Sequence, residues 1–165
     1  MTILTLWEGN MHLNISRSSH LFDQSDERIN GWLEERQALV VALHNLSKFK
    51  PFKNPFLIEE EMEQFTALLI DYVSAGQFEI FETIFNAAEK APTKTGLKSS
   101  VMVALLRTTN HALDFADKYT QETLTVEDLE KDLNDLAENL ASRLELEDHL
   151  IELYAEATSI LEDNH

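Results

Sequence analysis

One stretch of the chain gathers side chains that could bind a metal. Glu145, Asp148, His149 and Glu152 fall at i, i+3, i+4 and i+7, so four oxygen or nitrogen donors share one helical face. Carboxylates and an imidazole at that spacing suit a divalent ion. The same spacing of charge is more often a solvated face, and no metal is assigned. A di-metal carboxylate bundle needs several Glu residues and Glu-x-x-His pairs from two helices, a set the chain does not offer. His44 invites a phosphotransfer reading, but Asn45-Leu46-Ser47-Lys48 follows it instead of the fixed Lys-Gly pattern such a histidine requires. It is expected to be partly buried at a helix edge. There is no GxGxxG, Walker A, GxSxG or HExxH motif. Zero cysteines exclude a disulfide, a zinc-thiolate site and a thiol nucleophile. The chain is therefore read as a non-enzyme, with no catalytic residue and no cofactor.

Polar residues placed on apolar stripes are more informative. Arg36 interrupts one stripe, and Arg143 and Glu147 interrupt another between Leu140 and Ile151. The last two stand four residues apart and are able to pair. Asp71 flanks Leu68 and Tyr72, and Asp114 sits between Leu113 and Phe115. A charge near a core must be paired, because an isolated one is expensive to bury. Two readings stand together: an ion-pair network inside a bundle, and a polar pocket or groove at one end used for recognition. Whether the arginines meet Asp71, Asp114 or Glu147 is open at this level. Trp32, Tyr72, Phe78 and Phe81 have core spacing, yet exposed aromatics are also what anchors a partner.

These residues need helices to position them, and the periodicity predicts helices. Ile29, Trp32, Leu33, Leu39, Val40, Leu43 and Leu46 recur at helical spacing after Ser25 or Asp26, either of which suits an N-cap. That helix must end before Lys50-Pro51. A second runs from about Leu57 to Ala75 with Ile58, Met62, Phe65, Leu69 and Tyr72 inward and Glu59, Glu60 and Glu61 in its first turn. Gly76 stands where a C′ glycine is expected. A third, Gln77 to Lys90, carries Phe78, Phe81, Ile84, Phe85 and Ala88, and continues from the second through a kink or a break. After a break at 91–96 a fourth covers Leu97 to Tyr119, with Val101, Ala104, Leu105, Ala112 and Phe115 inward. Thr125 is expected to cap the last, which runs to about Leu161 behind Leu129, Leu133, Leu136, Leu140 and Leu144. The expected fold class is all-α, an up-and-down helical bundle of four main helices, the second and third being one pair bent or broken near Gly76. Residues 25–162 form one domain and residues 1–24 an N-terminal extension without sustained periodicity.

Composition agrees. The chain has 165 residues, 44% of them hydrophobic, with only four Gly and three Pro, which favours long helices over a turn-rich β-sandwich. Net charge is −17, so phosphate backbones are repelled and direct nucleic-acid binding is not expected. A basic protein partner is attracted instead. No apolar run approaches a membrane span and Met1–Trp7 lacks a basic lead-in, so neither a membrane segment nor a signal peptide is read. The expected setting is cytoplasmic, as a monomer or weak dimer.

Trp32-Leu33-Glu34-Glu35-Arg36-Gln37 with Leu39-Val40, the first of four blocks, is similar to the first-helix signature of the Rsd/AlgQ family of anti-sigma factors. Asp71-Tyr72-Val73-Ser74-Ala75-Gly76-Gln77-Phe78-Glu79 is similar to its central Asp-Tyr-(Leu/Val)-Ser-Ala-Gly-His-Phe motif. Ala112-Leu113-Asp114-Phe115 with Asp117 resembles its fourth-helix segment. Arg143 with Leu146-Glu147-Asp148 and Leu150-Ile151 resembles its C-terminal block. The blocks keep order from about Arg28 to Ala157. Gln77 stands in place of the motif His, Phe81 where Tyr is usual and Leu144 where Phe is common.

The resemblance implies a single-domain bundle that binds region 4 of the primary sigma factor of RNA polymerase. Binding would sequester sigma from core enzyme and from −35 promoter DNA. It implies partner-binding roles for Asp71, Ser74 and Phe78, with Trp32, Arg36, Tyr72, Arg143, Glu147 and Asp148 in support. An alternative with the same fold is a regulatory protein that binds a phosphocarrier or a stress-signalling enzyme, and behind it stands a metal-dependent enzyme built on Glu145, Asp148, His149 and Glu152. Region 4 is a basic helix-turn-helix, and an acidic bundle offers it charge that competes with DNA.

Overall fold

The structure, a computed structural model, describes residues 27–90, 98–120 and 124–163. The segment 1–24, the candidate caps Ser25 and Asp26 and the break at 91–96 lie outside the described residues. The described residues form five α-helices: α1 (Glu27–Ser47), α2 (Glu59–Ala75), α3 (Phe81–Lys90), α4 (Lys98–Tyr119) and α5 (Leu129–Asp163). A 3-10 turn at Pro55–Leu57 precedes α2, and a π-turn at Gly76–Ile80 joins α2 to α3 without a break. Among the described residues there is no strand, so the class is all-α. None of the described helices is long and apolar enough to cross a membrane.

The ends of the helices follow local chemistry. α1 stops ahead of Pro51. The Asn54 side chain accepts the Phe56 N–H at 3.0 Å and starts the 3-10 turn, with Pro55 at its first position. Glu59, Glu60 and Glu61 fill the first turn of α2. The last helix begins later than Thr125. Its first intrahelical bond runs from the Asp132 N–H to the Asp128 carbonyl (2.9 Å), so Asp128 and not Thr125 holds the N-cap position.

α1 packs on α2, α2 on α4, and α5 lies against both α3 and α4. Ile29, Trp32, Leu39, Leu43 and Leu46 form the buried stripe of α1, and Met62, Phe65, Leu69 and Tyr72 that of α2. Phe65 meets Phe115 edge-on at 6.0 Å, joining α2 to α4. Leu129, Leu133, Leu136, Leu140 and Leu144 of α5 close the core.

Four expectations are corrected. Phe78, grouped with the inward residues of the third helix, is 74% exposed. Asp71 and Asp114 are exposed: each neighbours a stripe residue, but one step along a helix is a rotation of about 100°. His44 is exposed as well. Gly76 is not a C′ glycine, since its φ of −56° and ψ of −52° are helical.

Candidate functional site

The charges that interrupt the stripes meet in the interior. Arg36, Arg143 and Glu147 are each at most 1% exposed. Arg143 donates from Nε to Glu147 Oε1 (2.9 Å), from Nη1 to Thr108 Oγ1 (3.1 Å) and Thr109 Oγ1 (2.6 Å), and from Nη2 to the Val73 carbonyl (3.5 Å). Its guanidinium also packs over the rings of Phe81 (5.2 Å) and Tyr72 (5.5 Å). Arg36 reaches from α1 to α5, donating from Nη2 to Asp148 Oδ1 at 2.8 Å, while its Nη1 lies 3.8 Å from Glu147 Oε2. The Tyr72 hydroxyl donates to the Glu147 carboxylate. Two arginines thus face two carboxylates, and the cluster is neutral overall.

Burial governs its protonation. It holds the Tyr72 phenol well above its usual range, with the Glu147 charge adding to the effect, so Tyr72 stays a donor. Burial also pushes the Glu147 carboxyl up, against the pull of Arg143, Arg36 and Tyr72.

The aromatics frame this cluster. Trp32 stacks on Tyr72 (5.5 Å, 9° between planes) and meets Phe81 edge-on at 5.9 Å. Its indole Nε1 donates to the Tyr72 carbonyl at 3.4 Å. Phe81, where the family motif has Tyr, is fully buried and packs by its ring alone. Gln77, in place of the motif His, accepts from the Thr109 hydroxyl at 3.2 Å.

A second layer lies outside. Asp71, Ser74 and Phe78 recur at three- and four-residue spacing along the rod formed by α2 and the π-turn, with Asp71 and Phe78 exposed and Ser74 half-buried. Glu35 on α1 lies within electrostatic reach of Asp71 and of Glu79 on the π-turn. Partial burial, then repulsion from Asp71 and Glu79, raises the Glu35 carboxyl above its ordinary value. Glu35 is thus repelled by carboxylates from two other elements, and one of these, Glu79, is the chain neighbour of the exposed Phe78.

Of the residues singled out in the sequence, Trp32, Arg36, Tyr72, Arg143 and Glu147 are interior. Asp148 is at the edge of the interior, and Asp71, Ser74 and Phe78 are on the outer layer. The open pairing question resolves to Glu147 and Asp148, with neither Asp71 nor Asp114 taking part. The carboxylate of Asp148 is engaged by Arg36, and no group of three or more His, Asp or Glu among the described residues is placed to share an ion. Thr108 and Thr109 are members of the cluster that the sequence does not single out. Their signal is weak: two adjacent β-branched residues inside a helix, where propensity disfavours them.

The described chain is thus an acidic helical bundle with an internal ionic cluster and, outside it, neighbouring carboxylates next to an exposed aromatic, the build of a regulatory binding protein. A family model described as "Regulator of RNA polymerase sigma(70) subunit, Rsd/AlgQ" matches residues 11–155, and the chain belongs to this family. The match takes in residues 11–24 and 86–98, which the four sequence blocks do not reach. Proteins called Regulator of sigma D are similar to it. That of Yersinia enterocolitica is 34% identical over 139 residues, 81% of this chain and 83% of the relative. That of Shigella boydii is 30% identical over 141 residues, 82% of this chain and 89% of the relative. No solved structure gives a significant match.

Proposed function

We propose that this protein is an anti-sigma factor-like regulator that binds region 4 of the primary sigma factor of RNA polymerase. Asp71, Ser74 and Phe78 form the centre of the contact. Sequestration keeps sigma from core enzyme and from −35 DNA, in the cytoplasm where the polymerase works. Membership of a family of sigma(70) regulators supports the class of partner. The observation that carries the surface is the repulsion of Glu35 by Asp71 and Glu79, the last being the chain neighbour of the exposed Phe78. Like charge from three elements favours a basic partner, and the exposed aromatic next to Glu79 gives the specificity that charge alone lacks. Trp32, Arg36, Tyr72, Arg143, Glu147 and Asp148 support the surface from behind.

Titration calorimetry of the whole protein against isolated region 4 tests this. The expected result is saturable one-to-one binding that weakens only in part between about 0.05 and 0.3 M salt, because screening shortens the reach of the charges and leaves the apolar contact. Absence of binding, or binding that salt removes entirely, overturns the reading and moves the search to another protein partner.

A further inference from the structure

A π-turn is rare and occurs mostly as a single turn inside an α-helix, frequently at a functional site. Here the Phe81 N–H reaches the Gly76 carbonyl five residues back. Gln77 is half-buried and Phe78 and Glu79 are exposed, so the turn presents its middle outward while Gly76 and Ile80 are buried. What holds it comes from elsewhere in the chain. The Arg143 guanidinium lies against Gly76, and a Cβ at that glycine would stand 2.8 Å from Arg143 Nη2, 3.2 Å from the Phe81 ring and 3.3 Å from Trp32 Nε1. Gly76 is needed for this close approach, since its backbone is one that any residue adopts. Trp32 and Arg143 donate to the Tyr72 and Val73 carbonyls just ahead of the turn. Arg143 also binds Thr109, whose hydroxyl reaches Gln77 inside it.

We propose that Gly76 and Arg143 are a positioning pair: the guanidinium seated against the glycine holds the π-turn that aims Phe78 and Glu79 at the partner. Neither touches the partner. The inference deepens the reading of the Phe78 face as the sigma-binding surface and rests on it for its consequence, but the positioning is measurable without sigma.

Two measurements on Gly76→Ala decide the matter. The chain has no cysteine, so Phe78→Cys supplies a single thiol. With the turn displaced by the new methyl, the modification rate of that thiol in folded protein changes severalfold when Gly76→Ala is added to Phe78→Cys. An unchanged rate overturns the positioning role. In calorimetry against region 4, Gly76→Ala weakens binding roughly tenfold or more, the scale of a displaced hot spot. It has no further effect when Phe78→Ala is already present, because the two act through one contact. Losses that add, or an affinity kept within twofold by folded Gly76→Ala, overturn the proposal. A changed thiol rate with no binding by the natural sequence places the failure in the sigma reading instead. If Gly76→Ala does not fold, Thr109→Val, which cuts the tie from Arg143 to Gln77 at constant shape, carries the same expectations.

Discussion

Glu147→Ala lowers the stability of the bundle by about 3–5 kcal/mol, the cost of leaving a buried charge without its partner. The carboxylate is shared by Arg143, Arg36 and Tyr72, all buried, so its removal strands more than one donor. Asp148 remains to serve Arg36, while Arg143 keeps only neutral acceptors in Thr108, Thr109 and Val73. For a domain of this size the loss corresponds to roughly 6–20 °C in Tm. It is a large share of the ~5–15 kcal/mol that holds an ordinary domain together. Urea unfolding followed by circular dichroism measures it. Adding Arg143→Met to Glu147→Ala is expected to recover part of the loss, because the stranded charge goes with its partner. A loss under about 1 kcal/mol for Glu147→Ala would mean that water reaches the guanidinium and that the cluster is not sealed. The Lys131–Asp135 pair is the control. It has the same four-residue spacing and a nearly equal distance, 3.0 Å against 2.9 Å, but both side chains are exposed. Lys131→Ala is expected to leave the melt unchanged, since solvent and salt screen such a pair. Burial, not geometry, separates the two.

The buried cluster was half legible in the sequence. Arg36, Arg143 and Glu147 stand at positions where the helical period demands an apolar residue, and that violation marked them as interior and paired. Arg143 with Glu147 was readable because four residues make one turn. Arg36 with Asp148 was not, because 112 residues separate them and only the tertiary fold that brings Arg36 of α1 to Asp148 of α5 decides the partner. Asp71 and Asp114 show the opposite error. They sit beside stripe residues in the chain, but adjacency in sequence is nearly a right angle on a helix, and both face outward.

Gly76 illustrates a harder limit. A glycine at the end of an apolar stripe reads as a C′ residue, because that is its commonest reason to be there. Its reason here is the Arg143 guanidinium, 67 positions along the chain, and no local pattern carries that information. The same holds for Phe78. Its spacing to Phe81 and Phe85 is what a buried stripe would show, and the π-turn overrides it. The long helices, by contrast, were legible throughout, because few glycines and prolines interrupt a strong period. Their boundaries moved where capping was decided by more than one candidate, as at Thr125 and Asp128.

That an aromatic ring is held 74% exposed in an otherwise buried-aromatic region leads to the last expectation. Phe78→Ala weakens binding to sigma region 4 by about 2 kcal/mol or more, roughly thirtyfold in Kd, as removal of a central anchor does. It leaves the melting temperature within the scatter of surface changes, since little of the ring is buried in the free protein. Asp71→Ala acts differently. It is near Glu35, which Glu79 also repels, so its removal is expected to slow association and flatten the salt dependence more than it speeds dissociation. Phe56 is the discriminating control. Its ring is 85% exposed, but it lies ahead of the far end of α2, roughly 25 Å from the π-turn by helix rise. Phe56→Ala should bind region 4 as the natural sequence does. Equal losses at Phe56 and Phe78 would show a general apolar stickiness, and unchanged affinity at both Phe78 and Asp71 would remove this face from the interface. A loss confined to Phe78 and Asp71 identifies an anchor that its own fold does not use, set among charges that repel one another until a basic partner arrives.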